Sequence, residues 1–115
     1  MRLRDEDAAL LTDMADAARE VVRIVGDTTF HAYERERMVR WAVERGIEII
    51  GEAARGVSKP VRERHPEVPW RLIIAQRHVI AHDYGEILNE RLWRVATVHV
   101  PALLDQLEAL LRDAE

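Results

Sequence analysis

The sequence contains no cysteine, so a disulfide framework and any metal site built on thiolates are excluded. It also lacks long apolar runs: a membrane-spanning helix needs about 20 apolar residues, and the runs here are far shorter. The first residues do not resemble a signal peptide. These absences favour a cytoplasmic protein with no membrane contact, and 115 residues suit one domain over residues 1–115.

Lysine is almost absent, because Lys59 is the only lysine among the 17 basic residues and the others are arginines. Genome base composition or heat tolerance can produce that bias without any functional role. The formal net charge is −4, which is unlike a protein that binds nucleic acid through a broad basic face. If RNA binds to this chain, we expect it to meet a local basic pocket.

Strand patterns are missing as well, because no stretch alternates convincingly between apolar and polar residues and no Asn-Gly or Asp-Gly hairpin turn occurs. Helical periodicity instead predicts helices over residues 5–25, 29–56, 60–65, 70–81 and 89–112. A charged run at residues 34–37 interrupts the apolar stripe of the second helix and allows a break there. The predicted fold class is all-α, a four-helix up-and-down bundle with one short extra helix.

Several residues mark the expected helix ends. Asp27 or Thr28 can cap the second helix, Ser58 the short one and Asn89 the last one. Proline lacks an amide proton, so Pro101 is expected to kink or split the last helix at Val100.

Three further expectations concern packing. The helix over residues 70–81 is rich in apolar residues and should be largely buried, and the three tryptophans, Trp41, Trp70 and Trp93, are most simply core residues. Gly51 lies inside a helix, where it costs about 1 kcal/mol relative to alanine. The usual reason to tolerate such a glycine is a close approach by another helix.

The densest group of reactive side chains is Arg77-His78-Val79-Ile80-Ala81-His82-Asp83-Tyr84. When RNA is cut by its own 2′-hydroxyl, a base must take the hydroxyl proton or an acid must protonate the leaving 5′-oxygen, and the phosphorane needs positive charge. Imidazole suits the proton transfer near neutral pH, and the arginine fork suits the phosphate. His82 and Arg77 would hold those roles, and no metal or other cofactor is required.

The spacing of this motif constrains its geometry. Residues five apart in a straight helix are separated by about 140° around the axis, so Arg77 and His82 would point apart. Either the helix ends between them, or two copies of the motif converge across a two-fold axis.

Other interpretations of these residues stay open. His82 could be a buried histidine that caps the C-terminus of its helix, where the helix dipole favours a positive charge. Tyr84 could be a packed aromatic residue whose hydroxyl is in solvent. His78 and His82 are spaced like two metal ligands, but Arg77 would repel a cation and no third ligand is obvious. Glu52 could orient Arg77 or His82, or could be a partly solvated carboxylate.

The motif R-x4-H-x-Y, formed by Arg77, His82 and Tyr84, resembles the signature of the HepT-like ribonuclease branch of the HEPN superfamily. Other landmarks of the resemblance follow in family order and extend it over residues 5–112. They are Gly26 with Phe30 shortly after it, Ile50-Gly51-Glu52-Ala53, Val68-Pro69-Trp70, Trp93 and Pro101-Ala102-Leu103. Two positions depart from it: His78 stands where asparagine is most common, and His99 where aspartate is expected.

The resemblance implies a metal-independent endoribonuclease that acts on RNA and not on DNA, with its active cleft between the protomers of a homodimer. Arg77 and His82 would be catalytic, with His78, Asp83 and Glu52 in support. It further implies the toxin half of a toxin–antitoxin pair. The partner would be a small nucleotidyltransferase antitoxin of the MNT type, which neutralises the toxin in part by adenylylating Tyr84.

Two competing functions remain at this point. The chain could be a non-catalytic helical subunit that binds or dimerises and partners a minimal nucleotidyltransferase. It could also be a purely structural helical dimer, although the polar motif would then lack a purpose. The intact R-x4-H-x-Y pattern favours the ribonuclease.

Overall fold

The computed structural model of the chain describes residues 2–114, and all its regular elements there are helical. They are α1 (Asp5–Val25), α2 (Phe30–Arg35), α3 (Arg37–Gly56), α4 (Lys59–Arg64), α5 (Trp70–His82), α6 (Gly85–Arg94), a π-helical turn (Val95–His99) and α7 (Val100–Asp113). Four long rods result, because α6, the π-helical turn and α7 follow one another without a loop. The all-α prediction is confirmed, with two short helices, α2 and α4, beside the rods.

Helix α1 packs against both α3 and α7. Helix α5 packs against α3. Helices α1 and α3 approach closely at Gly46, where an added Cβ would overlap the side chain of Val21. Apolar side chains repeat along α1, α3 and α7 at the spacing of one helical face, so these helices bury a shared core. Its most buried members are Leu11, Met14, Ala18, Val21, Tyr33, Val43, Ala54, Leu92 and Leu107.

One buried carboxylate ties the start of α4 to α1. Asp7 is 2% exposed and accepts hydrogen bonds from both the backbone N–H and the hydroxyl of Ser58, each 2.8 Å long. Burial by itself raises the pKa of Asp7, but these hydrogen bonds and the nearby Arg4 outweigh it and hold the pKa below its ordinary value. Ser58 therefore occupies the cap position of α4 as predicted, but its hydroxyl is donated to Asp7 and does not cap the helix.

Two further predicted caps are wrong. Thr29, and not Asp27 or Thr28, caps α2, because its hydroxyl accepts a 3.2 Å hydrogen bond from the backbone N–H of Ala32. The helix predicted to begin at Asn89 begins earlier, at Gly85. The φ angle of Gly85 is 57°, a left-handed conformation that favours glycine and turns the chain directly from the end of α5 into α6.

Pro101 changes the helical register without unwinding the chain. The residues before it form a π-helical turn, in which the N–H of Val100 bonds to the carbonyl oxygen of Val95. The hydroxyl of Thr97 donates a 2.7 Å hydrogen bond to the carbonyl oxygen of Trp93. The wider turn accommodates a residue that has no N–H to donate, so the predicted split at Val100 takes the form of a π-to-α transition.

The predicted burial of α5 is wrong, because only Trp70 at its start is buried and Leu72 is 64% exposed. Within this one chain the helix packs mainly on α3, and its other faces meet solvent. Trp41 is also no core residue, since it is 62% exposed with the guanidinium of Arg37 over its ring. Trp93 lies half-buried against Tyr33.

Candidate active site

Arg77 is positioned by a glycine on the neighbouring helix. A Cβ added at Gly51 would lie 3.1 Å from the carbonyl oxygen of Ile73 and 3.7 Å from Cγ of Arg77. The missing side chain therefore lets α5 approach α3 closely, as expected, and the aliphatic stem of Arg77 lies over the glycine. The Arg77 side chain is otherwise exposed, which leaves its fork free to bind a phosphate.

His82 is the last residue of α5, and the backbone N–H of Asp83 closes the final turn on the carbonyl oxygen of Val79 at 2.9 Å. The helix is unbroken from Arg77 to His82, so the expectation that it could end between them is wrong. Both side chains are exposed, and in one copy of the chain they diverge by about 140° around the helix axis. One chain alone does not bring Arg77 and His82 to the same point.

His78 lies one helical turn before His82 on the same face of α5. The centroids of the two imidazole rings are 4.2 Å apart and the ring planes are tilted by 45°. Both residues are exposed, so a substrate can reach the two rings. Within residues 2–114 no three His, Cys, Asp or Glu side chains cluster as metal ligands would, so the histidines form a pair and not part of a larger set.

Asp83 connects the motif to α6 through an ion pair that the sequence pattern did not indicate. Its Oδ2 atom lies 3.2 Å from Nε of Arg91, and its side chain is 26% exposed against 60% for the arginine. The two groups are not aligned as a hydrogen bond, so they interact by charge alone. The sequence did not predict this ion pair with Arg91. Its formation depends on how the chain turns between α5 and α6, and the sequence does not show that geometry.

Tyr84 stands at the N-terminal cap position of α6, immediately before Gly85, and is 80% exposed. Its phenol is thus accessible at the end of α5 where His82 lies. Glu52 is not brought to the motif: it lines a groove between α1 and α3, and its Oε1 atom lies 3.5 Å from Nη1 of Arg45. The structure thus places Arg77, His78, His82, Asp83 and Tyr84 on α5 and its C-terminal corner, and Glu52 elsewhere.

Two half-buried or buried groups lie apart from this site and have shifted pKa values. Burial raises the pKa of Tyr33 to about 12, and the nearby Glu44 adds to that shift. Burial also raises the pKa of Glu44, with a contribution from Glu48. The phenol and the carboxyl belong to the packing of α2 against α3, next to Trp93, and not to the exposed motif.

No helix within residues 2–114 combines the length and the apolar character needed to cross a bilayer.

A family model described as "Ribonuclease HepT-like" matches residues 14–110, which include all of α5 and the motif. The chain belongs to the HepT-like family. The predicted resemblance to the HepT-like family is thereby confirmed, and with it membership of a ribonuclease family.

Two relatives illustrate the similarity. The chain is 33% identical over 100 residues to "Putative RNase MJ1380" of Methanocaldococcus jannaschii, covering 87% of this chain and 92% of that protein. It is 29% identical over 100 residues to "Probable ribonuclease HepT" of Thermococcus cleftensis, covering 87% and 91%. No solved structure matches the chain significantly.

Proposed function

We propose that this HepT-like protein is a metal-independent endoribonuclease whose active cleft is formed by two copies of α5. In each copy Arg77 binds the phosphate and His82 transfers a proton. The 2′-hydroxyl of the RNA attacks the adjacent phosphorus, the bond to the 5′-oxygen breaks, and a 2′,3′-cyclic phosphate and a 5′-hydroxyl result. DNA lacks the attacking hydroxyl and is not a substrate.

The continuity of α5 is the observation that carries the proposal. Because the helix runs unbroken to His82, the side chains of Arg77 and His82 leave the axis about 140° apart, which disfavours their meeting at one phosphate within a single chain. A two-fold axis beside α5 places the Arg77 of each copy opposite the His82 of the other. The two copies together then supply both a phosphate-binding cation and a proton-transfer group at one point.

Exposed apolar residues on the helices of the motif support the same arrangement. Leu72 on α5 is 64% exposed and Ile87 on α6 is 62% exposed, and α5 packs mainly on α3. Large apolar side chains exposed on the helices that carry a site are candidates for a protein interface. A second copy that packs on this side would cover these residues and explain why α5 is so apolar in sequence and so exposed in one chain.

RNA digestion tests the enzymatic part. Purified protein should cut an RNA oligonucleotide in excess EDTA and leave its all-DNA counterpart intact, and mass spectrometry of the fragments should find 2′,3′-cyclic or 3′-phosphate ends. His82→Ala, at an exposed position, should lose about 10²–10⁴-fold in rate. Loss of activity in EDTA, or normal cutting by His82→Ala, would contradict the proposal.

Sedimentation of the same preparation tests the assembly. We expect a dimer, and Leu72→Glu and Ile87→Glu should weaken both dimerisation and cleavage because they place charge in the proposed interface. A stable monomer with full nuclease activity would refute the shared cleft. Ala9→Glu is the control, because Ala9 is exposed on α1, which packs mainly on α3 and α7 and not on α5.

We further propose that the enzyme is the toxin half of a toxin–antitoxin pair, neutralised by a small nucleotidyltransferase that adenylylates Tyr84. The exposed phenol beside His82 supports this. The neighbouring reading frame should encode a minimal nucleotidyltransferase, and its expression should relieve growth arrest caused by the wild-type protein. If the protein forms its dimer and binds that partner but cuts no RNA, the non-catalytic alternative is the better account.

A further inference from the structure

A surface depression between α4 and the start of α5 collects positive charge in a chain whose net charge is −4. It has a volume of about 460 Å³, and the charged residues that line it are Lys59, Arg62, Arg71 and one carboxylate, Glu63. We call this depression the basic pocket. An acidic chain that binds a polyanion such as RNA needs a local site of this kind, because its surface as a whole repels phosphate.

The two arginines of the basic pocket are free to bind an anion. Within residues 2–114 neither Arg62 nor Arg71 forms an ion pair or a side-chain hydrogen bond, and the Nε atom of Arg62 is buried without a partner. No protein contact has to be broken before either guanidinium binds a phosphate. Lys59 lies 3.8 Å from a carboxylate oxygen of Glu63, but its side chain is 79% exposed, so this pair is weak and easily exchanged.

The floor of the basic pocket is apolar. Trp70 is 9% exposed, and its Nε1 atom donates a 3.0 Å hydrogen bond to the carbonyl oxygen of His65, which fixes the indole in place. Ile74 lies one turn later on α5 and is half-buried. Cations around an apolar floor suit a nucleotide of RNA, because the phosphate meets the guanidinium groups while the base covers apolar surface.

The basic pocket shares a face of α5 with the site of cleavage. From Arg71 to His82 the helix advances by about 17 Å, and the two side chains leave the axis only about 20° apart. Neighbouring nucleotides of a stacked strand are about 3.4 Å apart, so about five of them span this distance. An RNA strand that is cut beside His82 can therefore follow α5 and place a more distant phosphate in the basic pocket.

We propose that Lys59, Arg62 and Arg71 form an RNA-binding subsite, which holds a phosphodiester about five nucleotides from the bond that is cut. The proposal rests on the ribonuclease function proposed above and specifies how the enzyme binds RNA outside the motif. The subsite binds the substrate and the transition state equally well, so it raises affinity and leaves the rate of the bound complex unchanged. It also sets a minimum length of RNA for tight binding.

Fluorescence anisotropy measures the subsite separately from cleavage. The probe is an RNA oligonucleotide with about eight nucleotides on each side of the mapped cut, longer than the expected span. A 2′-deoxy nucleotide at the cut prevents the attack. Arg62→Gln and Arg71→Gln should each weaken binding about tenfold, as loss of a charge-assisted hydrogen bond does. Each should also reduce the dependence of log Kd on log salt concentration by about 0.7. Arg71 is exposed, so Arg71→Gln tests the subsite even if the half-buried Arg62 is needed for folding.

The length of the RNA distinguishes a subsite from a general loss of positive charge. Shortening one flank to two nucleotides removes the phosphate that reaches the basic pocket, so the wild type should bind about tenfold more weakly. Arg71→Gln should bind this short RNA as the wild type does. Shortening the other flank should leave the effect of Arg71→Gln unchanged. If the variant weakened binding equally at every length, the subsite would be refuted.

Kinetics and two further variants complete the test. Arg71→Gln should raise KM for the long RNA about tenfold and leave kcat unchanged, as loss of uniform binding does. Glu63→Gln removes the carboxylate of the pocket and should tighten binding of the long RNA; weaker binding would contradict the role of charge. Arg112→Gln is the matched control, because Arg112 is exposed on α7, which packs on α1, and it should bind every RNA as the wild type does.

A free nucleotide is the other source of phosphate for the basic pocket. If 5′-AMP bound tightly and required Arg71, while Arg71→Gln bound the long RNA normally, the pocket would serve a nucleotide and the RNA subsite would be refuted. Failure of the ribonuclease function has a different appearance. The wild type would then cut no RNA, yet the uncut, unmodified oligonucleotide would still bind with the same dependence on Arg71 and on length.

Discussion

Gly51 on α3 contacts Arg77 on α5, so the absence of a side chain at Gly51 helps to set the position of the proposed phosphate-binding side chain. A Cβ at Gly51 would lie 3.7 Å from Cγ of Arg77 but only 3.1 Å from the carbonyl oxygen of Ile73. The 3.1 Å distance to the carbonyl oxygen of Ile73 is shorter than an ordinary van der Waals contact, and this backbone atom cannot rotate away as the end of a side chain can. The close packing of α5 on α3 and the placement of Arg77 therefore share one cause.

Gly51→Ala should harm activity more than stability. Alanine gains about 1 kcal/mol of helix propensity over glycine, and overpacking against backbone costs about 1–3 kcal/mol, so the net loss should be about 1 kcal/mol. To relieve the overlap α5 must move by a few tenths of an ångström, and Arg77 moves with it. We expect cleavage by the folded protein to fall by about tenfold, since small misplacements of catalytic groups are costly.

Gly46→Ala is the matched control, because Gly46 lies on the same helix but faces α1. Its added Cβ meets the side chain of Val21, far from the motif. Urea denaturation should show lost stability, while the rate per folded molecule should stay at the wild-type value. Equal losses of activity in the two variants would show that Gly51 has no special connection to Arg77.

Arg77 should be replaceable by lysine only in part. Alanine removes both the charge and the fork and should reduce single-turnover cleavage by about 10²–10³-fold, as loss of one transition-state donor typically does. Lysine keeps the positive charge but lacks the planar guanidinium that donates two parallel hydrogen bonds to a phosphate. Arg77→Lys should therefore recover only a part of the lost cleavage rate. Arg71→Ala, an exposed arginine at the other end of α5, should leave the single-turnover rate at saturating protein unchanged. Full activity of Arg77→Lys would show that charge alone is needed.

Periodicity was sufficient to predict α1 and α3 because their apolar faces are covered within the chain. The helix predicted over residues 5–25 is α1, and the prediction that α5 ends near the motif was also correct. Periodicity does not show which face a neighbour covers. Trp41 continues the apolar stripe of α3, yet it is 62% exposed within the part of the chain that the structure describes.

The site could be predicted in part for a similar reason. Arg77, His78, His82, Asp83 and Tyr84 are close in sequence, so a single helix end keeps them close in space. Contacts that depend on a corner or on helix packing could not be predicted. The ion pair from Asp83 to Arg91 depends on the turn at Gly85, and the engagement of Glu52 depends on which side of α3 faces α1.

Asp7 should make the free energy of unfolding depend on pH in the acidic range. Its carboxylate is buried and bonded twice by Ser58, and its pKa in the folded protein is below the ordinary value. The carboxylate therefore contributes stability that is fully present above the unfolded pKa of about 3.9 and is lost as the pH falls through the lower folded pKa. At pH 7, Asp7→Asn should lower the free energy of unfolding by about 1–3 kcal/mol.

Urea denaturation at several pH values measures the effect. The difference between wild type and Asp7→Asn should be constant from pH 7 to about pH 5 and should shrink below about pH 4, as the wild-type carboxylate takes up a proton. Asp13→Asn, an exposed carboxylate on the same helix, should show almost no difference at any pH. If the difference in unfolding free energy between wild type and Asp7→Asn grew as the pH fell, the lowered pKa of Asp7 would be contradicted.

Tyr84 should act as the switch of the proposed toxin. Its phenol is 80% exposed at the corner that follows His82, so a nucleotidyltransferase can reach it without unfolding the chain. An attached nucleotide adds at least one negative phosphate near the cleft, where it competes with RNA for the guanidinium of Arg77. It also fills the space sterically, so the blockage should persist at high salt, where charge is screened.

Tyr84→Phe should keep most nuclease activity, because the hydroxyl takes no part in the proton transfers, and should escape modification. Co-expression with the cognate nucleotidyltransferase, followed by mass spectrometry and an RNA cleavage assay, compares it with the wild type. The wild-type protein should gain a nucleotide at Tyr84 and lose cleavage, whereas Tyr84→Phe should do neither. Tyr33 is the internal control: it is fully buried, so its peptide should stay unmodified throughout. If the wild type is modified at Tyr84 and still cuts RNA at its full rate, the phenol is not the switch.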